Sequence, residues 1–253
     1  MTERLSGKTA LVSGASSGLG RSAALALAAE GARLFVAARR DDMLGALVRD
    51  IEAAGGQAAA LHLDVSEKES CAAAFAQIEA EAPQLDILVN SAGVGKAIPF
   101  LETTQGDFDW HYNVNVKGTW RTSRDFARLA VARGHGGSII NIASMLALGA
   151  HPGQSLYCGT KAAVLNMTRV MALELQSKNI RANSVCPGYF SSEMTDDFAA
   201  SDAGQAYIKR TPAKRFADPK ELDGAIVYLA SEEASFTTGT HISVDGGHGA
   251  RLV

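Results

Sequence analysis

Short apolar runs rich in β-branched residues alternate along this chain with longer Ala-rich amphipathic stretches, and this alternation constrains the fold more than any other feature. The runs at residues 10–12 and 86–89 are nearly continuous in apolar character, as expected for strands buried on both faces. Strands that alternate with helices predict a parallel sheet covered on both sides and joined by right-handed crossovers. The sequence therefore predicts an α/β, doubly wound, seven-stranded parallel sheet, with strands near 9–13, 33–38, 57–63, 86–90, 138–143, 181–185 and 241–244.

Helices are predicted for the amphipathic stretches between these strands, near residues 18–30, 42–54, 67–82, 104–133 and 155–178. No Pro-, Gly- or Ser-rich linker divides the series, and no internal repeat is found. A chain of 253 residues is also a suitable length for one large core. We interpret residues 1–253 as a single catalytic domain.

Composition and charge exclude several classes of protein. Hydrophobic residues make up 47% and charged residues 20%, a soluble globular balance, and the net charge of −3 gives no reason to expect nucleic acid or an anionic membrane as partner. No apolar run is long enough to span a membrane, and no signal peptide is evident. Cys71, Cys158 and Cys186 show no paired spacing, which favours a reduced, cytoplasmic protein. The six histidines lack zinc-ligand spacing, so no metal is expected.

The first predicted strand runs into a glycine-rich turn and then into an Ala-rich helix. Residues 13–20 read Ser-Gly-Ala-Ser-Ser-Gly-Leu-Gly. Glycines permit a tight bend and let backbone N–H groups approach a phosphate, and a helix N-terminus adds a favourable dipole. The spacing G-x-x-x-G-x-G is related to the usual dinucleotide fingerprint. We therefore predict a Rossmann fold with a phosphate-binding turn made of Gly14, Ser16, Ser17, Gly18, Leu19 and Gly20.

Two alternatives remain for this turn. It is also compatible with an ordinary glycine-punctuated connection between a strand and a helix. Residues 14–18 fit G-x-S-x-G, the nucleophile elbow of α/β-hydrolases, but that elbow follows several strands, and almost nothing precedes Ser16.

The end of the second strand indicates which dinucleotide is preferred. An acidic residue there would bind the adenosine ribose and favour NAD(H), whereas Ala38 cannot do so. Arg39, together with Arg40, offers donors suited to a 2′-phosphate, so NADP(H) is preferred and NAD(H) remains possible. The alternative is that both arginines only open the next helix, with Asp41 and Asp42 as partners.

The third strand ends at Asp64 and Val65, where a carboxylate can accept a hydrogen bond from the adenine amino group. Asp64 is equally compatible with an N-cap for the helix that follows.

Tyr157 and Lys161 are four residues apart on a predicted helix, with Ser144 thirteen residues upstream. Positions i and i+4 share one helix face, so the ammonium can lie beneath the phenol. A tyrosine has a pKa near about 10 and is a poor base at neutral pH. A nearby cation favours the phenolate and lowers that pKa, which would give a group able to exchange protons with an alcohol. Taken alone, this pair is also typical of a surface tyrosine over a lysine stem.

Together, these motifs resemble the short-chain dehydrogenase/reductase family in its compact form, over nearly the whole chain. The motifs that carry the resemblance are the glycine-rich turn, Asn90-Ser91-Ala92-Gly93 after strand four, Asn115 in Asn-Val-Asn-Val-Lys-Gly, Ser144, Tyr157, Lys161 and Pro187-Gly188.

The resemblance implies a role for each residue of the reaction centre. Tyr157 would be the acid/base at the substrate oxygen, and Ser144 would polarise that oxygen. Lys161 would lower the tyrosine pKa and hold the nicotinamide ribose. Asn115, at a break in a long helix, would anchor a water that connects Lys161 to solvent.

The resemblance also implies further cofactor contacts. Asn90 would brace the sheet while the backbone from Asn90 through Ala92 to Gly93 flanks the adenosine ribose. Pro187, Gly188, Phe190 and Ser192 would line the nicotinamide. Ser13, Ser91 and Ser192 stand where the family more often has threonine, asparagine and threonine, and none of these departures affects the chemistry.

Three loops lie where a doubly wound sheet binds its ligand, at about 94–103, 145–154 and 189–210. Most of their large side chains are apolar: Pro99, Phe100, Met145, Leu146, Leu148, Tyr189, Phe190, Met194 and Phe198. This lining favours a hydrophobic or moderately polar ketone or secondary alcohol over a phosphorylated sugar, and Lys96, His151 and Gln154 could bind a polar group of the substrate. For His151, exposure to water is the favoured alternative. The segment 191–210 is interpreted as a lid, or alternatively as a plain surface helix and loop.

The resulting prediction is an NADP(H)-preferring oxidoreductase that transfers a hydride between a nicotinamide and a ketone or secondary alcohol. An NAD-dependent alcohol dehydrogenase of the same family is the main alternative. A dinucleotide-binding sensor without activity is disfavoured because Ser144, Tyr157, Lys161 and Asn115 are all present, and a nucleotide-sugar epimerase is disfavoured by the short C-terminal region. The resemblance also implies a homotetramer, or a homodimer, through the helices near 104–133 and 155–178 and the segment 244–253.

Overall fold

The computed structural model describes residues 3–193 and 195–250. Met194 and the last three residues of the segment 244–253, for which a substrate contact and a subunit contact were predicted, lie outside the described residues. None of the described helices is long and apolar enough to span a membrane.

Seven strands form one sheet, and each strand pairs in parallel with its neighbours. In chain order the elements are β1 (Thr9–Ser13), α1 (Gly18–Ala29), β2 (Arg33–Ala38), α2 (Asp41–Ala53), β3 (Gln57–His62), α3 (Lys68–Glu81), β4 (Ile87–Asn90), α4 (Gln105–His111), α5 (Thr119–Ala132), β5 (Gly137–Ile142), α6 (Ser155–Leu175), β6 (Ile180–Pro187), α7 (Asp196–Ala200), α8 (Asp202–Arg210), α9 (Asp223–Ala230) and β7 (His241–Val244). The seven-stranded, doubly wound fold predicted from the sequence is thereby confirmed.

Strand residues alternate between two hydrophobic cores, one on each face of the sheet. In β2, Leu34 and Val36 pack into the core beneath α1, α2 and α9, while Phe35 and Ala37 pack into the core beneath α3 and α5. Successive side chains of a strand point to opposite faces, so a strand covered on both sides needs apolar residues at every position. This is why the early strands have continuous apolar sequences.

The strand order β3-β2-β1-β4-β5-β6-β7 reverses direction at β1. The chain moves outward from β1 to β3 and then returns to place β4 on the other side of β1. In an open parallel sheet, loops diverge at this reversal and leave a crevice beyond the carboxyl ends of the strands. The glycine-rich turn after β1 and the loop after β4 therefore face one another across a crevice.

The long helix predicted near 104–133 is interrupted. A π-helical turn, Tyr112–Gly118, separates α4 from α5, and Asn115 lies inside it, fully buried. A π-helical turn inserts an extra residue into the helix and occurs frequently at functional sites. Amphipathic periodicity over the whole segment does not reveal such a one-residue insertion.

The segment 191–210, interpreted from the sequence as a lid or a surface helix and loop, contains the two short helices α7 and α8. An isolated bridge between Phe190 and Ala217 ties the start of the segment to the chain that follows α8. Phe190 itself is buried in the core beneath α1 and α2.

Candidate active site

A groove of about 760 Å³ lies at the carboxyl ends of β1, β2, β4, β5 and β6, where the strand order reverses. This volume is within the usual range for pockets that bind small molecules or cofactors. The predicted cofactor and catalytic residues that line it are Gly14, Ser16, Ser17, Gly18, Leu19, Gly20, Arg39, Arg40, Asp64, Val65, Ala92, Gly93, Ser144, Tyr157, Lys161, Pro187, Gly188, Phe190 and Ser192. Asn90 and Asn115 do not line the groove but lie behind its wall, where both are buried.

The glycine-rich turn brings the start of α1 to the floor of the groove. Gly14 has φ +71°, and a Cβ at this position would lie 2.6 Å from the backbone N of Ala92, so only glycine fits between β1 and the loop after β4. Ser17 is the N-cap residue of α1 but its side chain makes no capping hydrogen bond. The first N–H groups of the helix are thus directed at the groove, an arrangement suited to a phosphate.

Arg39 and Arg40 lie at the end of the groove beyond β2. In the described residues neither arginine pairs with Asp41 or Asp42, as the alternative interpretation required. Arg39 places Nη1 3.9 Å from Oδ2 of Asp64 and leaves 65% of its side chain exposed. Asp41 instead contacts Nδ1 of His62 at 3.0 Å. The two guanidinium groups place hydrogen-bond donors at this end of the groove.

Asp64 borders the same end and is not the N-cap residue of α3, which is Glu67. Its Oδ1 accepts hydrogen bonds from the backbone N and the Oγ of Ser66, at 2.9 and 2.6 Å. Burial pushes the pKa of Asp64 upward, but the hydrogen bonds from Ser66 outweigh it and keep the pKa below its usual value. Asp64 is therefore a fixed carboxylate at neutral pH.

Arg121 of α5 also supports the Asp64 loop, a role that was not predicted from the sequence. Its Nη1 donates to the carbonyl oxygens of Val65 and Ser66, at 3.0 and 2.8 Å. Nothing in the sequence around Arg121 signals a contact to a loop more than fifty residues away.

Tyr157 and Lys161 lie one turn apart in α6, and Ser144 faces them from the end of β5. The Nζ of Lys161 donates to the carbonyl oxygen of Ile142 at 2.8 Å and lies 5.7 Å from the centre of the Tyr157 ring. Ser144 Oγ accepts a hydrogen bond from Leu146 N at 3.1 Å, so its own proton can be directed toward the groove. The three side chains predicted to act together are thus brought together.

Burial dominates the electrostatics of this cluster, contrary to the expectation that Lys161 lowers the tyrosine pKa. It raises the pKa of Tyr157 to about 12, although a hydrogen bond with Ser144 acts in the opposite direction. Burial also lowers the pKa of Lys161 to about 8, because an ammonium removed from water loses its hydration. Tyr157 is therefore a neutral phenol at physiological pH.

A glycine that was not singled out from the sequence determines how closely the loop after β4 approaches Tyr157. A Cβ on Gly95 would lie 3.0 Å from Cδ2 of the Tyr157 ring. Any larger side chain would push against the ring face. The only sequence signal was a second glycine two residues after Gly93.

Asn115 joins the loop after β4 to α6. Its Nδ2 donates to the carbonyl oxygen of Val94 at 2.9 Å and to Oγ1 of Thr160 at 3.0 Å, while its Oδ1 accepts from Val94 N at 2.8 Å. Thr160 immediately precedes Lys161. Asn115 therefore fixes the loop and α6, the helix that carries Tyr157, relative to each other; the water-anchoring role implied by the sequence resemblance stays a prediction.

Asn90 belongs to a buried polar network that crosses the sheet. Its Nδ2 donates to Oγ of Ser123 and to Oδ1 of Asn141, at 2.9 and 2.8 Å, and its Oδ1 accepts from Oγ1 of Thr122 at 2.7 Å. Asn141 Nδ2 in turn donates to Oγ1 of Thr168 in α6 at 2.8 Å. Satisfied networks of this kind hold neighbouring elements in one register. Asn90 thus braces β4 against β5, and the network continues to the helix that carries Tyr157.

The wall of the groove on the substrate side is largely apolar. Several of the apolar loop residues that were predicted to line it do not. Met145, Leu146, Tyr189 and Phe198 border the groove with His151 and Gln154. Phe100 and Leu148 are instead exposed by 72% and 48% and do not line it. Both lie on short loop turns, for which periodicity gives no information about facing direction.

Lys96, predicted as a contact for a polar substrate group, is not among the described residues that line the groove. Its Nζ lies 3.8 Å from Oδ1 of Asp107, the acidic residue of the capping box that opens α4.

An aromatic cluster that was not predicted supports this wall. The Tyr189 ring packs against Phe198, Tyr207 and Phe216, with ring centroids 5.5, 4.6 and 5.3 Å away. The Oη of Tyr207 also lies 2.5 Å from Nδ1 of His248. The segment that contains α7 and α8 is thus held on the substrate side of the groove.

Comparison with known proteins agrees with this geometry. Residues 14–249 match the family model described as enoyl-(acyl carrier protein) reductase. The chain is 34% identical to cyclopentanol dehydrogenase of Comamonas sp., with 98% of this chain and 99% of that protein covered. A short-chain type dehydrogenase/reductase from Mycobacterium marinum superposes with a TM-score of 0.94 at 37% identity, over 98% of this chain and 97% of that one. A gluconate 5-dehydrogenase from Burkholderia cenocepacia, solved in complex with NADP and tartrate, superposes with a TM-score of 0.94 at 34% identity, over 99% and 98%.

These matches extend over nearly the full length of the chain and include the glycine-rich turn, the loop after β4 and α6, the helix that carries Tyr157. The chain therefore belongs to the short-chain dehydrogenase/reductase family, and it is an oxidoreductase of alcohol and carbonyl groups that uses a nicotinamide cofactor.

Proposed function

We propose that this protein is an NADP(H)-preferring oxidoreductase of uncharged ketones and secondary alcohols, in which Tyr157 exchanges the proton with the substrate oxygen. One observation carries the proposal: a single groove has Ser144, Tyr157 and Lys161 at one end and two arginines, Arg39 and Arg40, at the other.

The residues of the groove fit a dinucleotide. The N-terminus of α1 and its glycine-rich turn would hold the diphosphate, and Arg39 would hold the adenosine 2′-phosphate. Asp64 and Val65 would border the adenine, and the backbone around Ala92 and Gly93 would border its ribose. Pro187, Gly188, Phe190 and Ser192 would surround the nicotinamide, which supplies the hydride when bound.

The chemistry of this chain's own residues is a proton transfer. Because burial raises the pKa of Tyr157 to about 12, its phenol carries a proton at neutral pH and can donate it to a carbonyl oxygen. The Ser144 hydroxyl would donate a second hydrogen bond to that oxygen. The Lys161 ammonium would stabilise the phenolate that remains, since it lies one helical turn away.

The substrate side of the groove favours an uncharged molecule. On the substrate side the described lining residues are mostly uncharged, and the two charged ones, Lys161 and Glu193, already contact the Ile142 carbonyl oxygen and Arg40. A substrate carboxylate would lose its hydration there and would compete with the Tyr157 phenolate for the ammonium of Lys161. The relative that acts on cyclopentanol is thus a better guide to this site than the gluconate dehydrogenase.

The test is an activity panel with both cofactors. We expect cyclic and short secondary alcohols, and the matching ketones, to be turned over with NADP(H) at higher kcat/KM than with NAD(H). The decisive comparison is between the kcat/KM values for cyclohexanol and for 4-hydroxycyclohexanecarboxylate, two substrates that differ mainly in charge. A preference for the carboxylate would contradict the proposed substrate class, and a preference for NAD(H) would contradict the proposed cofactor.

Removing the Arg39 guanidinium should separate the two cofactors. Arg39→Gln is expected to weaken NADPH binding by about tenfold or more, the usual cost of a lost charged hydrogen bond, while NADH changes by less than about twofold. Fluorescence titration of each reduced cofactor measures this directly. Arg49→Gln, a matched change on the neighbouring helix α2, is the control, and equal losses for both cofactors would refute the 2′-phosphate role.

We also propose that the single sheet corresponds to one catalytic domain over residues 1–253, and that this domain forms a homotetramer or homodimer. Support comes from apolar side chains that remain exposed on the two helices for which pairing was predicted. Trp120 on α5 is 44% exposed, and Val170 and Leu173 on α6 are 45% and 82% exposed. Faces of this kind favour burial against a second copy.

A further inference from the structure

The guanidinium of Arg40 connects two sides of the groove. Its Nη2 donates to Oγ of Ser16 at 3.1 Å and to Oγ of Ser17 at 2.7 Å, both in the turn after β1. Its Nη1 donates to Oε2 of Glu193 at 3.0 Å, in the segment that follows β6. Arg40 is therefore the link between the phosphate-binding turn and the chain that borders the nicotinamide end.

Each cation at this end of the groove already has a carboxylate beside it. Arg39 lies 3.9 Å from Asp64, and Arg40 lies 3.0 Å from Glu193, so the four side chains sum to no net charge. A phosphate monoester carries a charge of about −1.5 to −2 at pH 7 and needs uncompensated donors. One carboxylate must therefore move aside before a phosphate can bind both arginines well.

Glu193 is the carboxylate that can move. Asp64 is fixed by two hydrogen bonds from Ser66. Within residues 3–193 and 195–250, by contrast, the Glu193 carboxylate has Arg40 as its one hydrogen-bond partner. Its side chain is 59% exposed and that of Arg40 is 45% exposed, so water can take the place of the pair at small cost.

We infer that Glu193 competes with the adenosine 2′-phosphate of NADP(H) for Arg40, and that it thereby limits how strongly NADP(H) is preferred over NAD(H). The inference rests on the proposed binding of the 2′-phosphate beyond β2. NAD(H) has no phosphate at this position, so the pair between Arg40 and Glu193 persists when it binds. Glu193 is thus a specificity-determining residue that acts through Arg40.

Neutralising Glu193 should tighten NADPH selectively. We expect Glu193→Gln to lower the Kd of NADPH by about two- to fivefold, the range of an exposed ion pair, with the Kd of NADH nearly unchanged. The gain should shrink as ionic strength rises, since exposed charges are screened. The measurement is fluorescence titration of the purified protein with each reduced cofactor. Asp197→Asn, which removes a nearby carboxylate of α7 that does not contact Arg40, is the matched control.

A double-mutant cycle with Arg40→Gln distinguishes competition from simple repulsion. If Glu193 competes for Arg40, the gain from Glu193→Gln largely disappears in the Arg40→Gln background. An equal gain in both backgrounds, an equal gain for NADH, or weaker NADPH binding in Glu193→Gln would each overturn the inference. The wild-type ratio of the two Kd values tests the proposed NADP(H) preference separately, because the inference concerns only how that ratio changes.

Discussion

Replacing Tyr157 with phenylalanine should reduce turnover by at least about a thousandfold while leaving the fold intact, because a positioned proton donor typically contributes two to four orders of magnitude to the rate. The ring of Tyr157 fills the space beside Gly95, and phenylalanine keeps that ring. Only the hydroxyl that would protonate the substrate oxygen is lost. The measurement is kcat for ketone reduction at saturating cofactor, with cofactor Kd determined in parallel.

The matched control is Tyr228→Phe, in α9. Its hydroxyl also makes a hydrogen bond, to Oγ1 of Thr237 at 2.7 Å, but lies outside the groove. This variant should keep nearly full activity with a small change in unfolding temperature. If Tyr157→Phe retained more than a few per cent of wild-type kcat, or if it lost cofactor binding to the same degree as activity, the acid/base assignment would be wrong.

Strand positions were largely predictable because this sheet is covered on both faces. The observed bounds of β1, β2 and β7 coincide with those predicted, while β6 extends from Ile180 to Pro187, beyond the predicted 181–185. Continuous apolar runs identify such strands, but their ends depend on pairing. β6 extends as far as Pro187 because this residue lies opposite Val244 of β7, a partner that is distant in sequence.

The residues predicted from contiguous motifs lie together in the structure. The glycine-rich turn, Ser144, Tyr157 and Lys161 all line one groove, as expected. Side chains brought in from distant elements were not predicted, among them Arg121 beneath the Asp64 loop and Tyr207 in the aromatic cluster. Such residues act through three-dimensional contacts that leave no local spacing in the sequence.

Electrostatics also could not be predicted from spacing alone. The i, i+4 relation of Tyr157 and Lys161 predicted a lowered tyrosine pKa, whereas burial raises the pKa to about 12. Spacing shows which groups are near each other but not how much water they lose. The two directions of the reaction should therefore differ in their pH dependence. A neutral phenol is suited to donating a proton to a ketone, whereas alcohol oxidation first requires the phenolate and should accelerate with rising pH.

Lys161→Met should give a protein that is more stable and far less active. Lys161 is 6% exposed, and burial lowers the pKa of its ammonium from 10.5 to about 8, so the folded state disfavours the charged form. Methionine fills a similar volume without a charge. After allowing for the lost hydrogen bond to Ile142, we expect a gain of about 1–2 kcal/mol at pH 7, which raises the unfolding temperature by about 2–6 °C.

The pH dependence of this gain follows from the two pKa values. Below about pH 8, lysine is protonated in both folded and unfolded states, and the full cost of burying the ammonium is present. Between about 8 and 10.5 the folded protein has released the proton and the unfolded chain has not, so wild-type stability should rise with pH relative to the variant. Calorimetry at pH 7 and pH 10 measures the difference, and a gain that does not shrink at pH 10 would contradict the buried-cation account.

Activity should change in the opposite direction. Removing a preorganised charge from an active site typically costs about a hundred- to a thousandfold in kcat, and the ammonium of Lys161 is the group placed to stabilise the Tyr157 phenolate. Because that function needs the protonated form, wild-type kcat/KM for reduction should decline above about pH 8. Lys161→Met should lose this alkaline decline together with its activity, whereas Lys178→Met, at an exposed turn after α6, should retain both. An active site that holds a buried cation loses folding stability in return for activity. Lys161→Met measures both the stability that is lost and the activity that is gained.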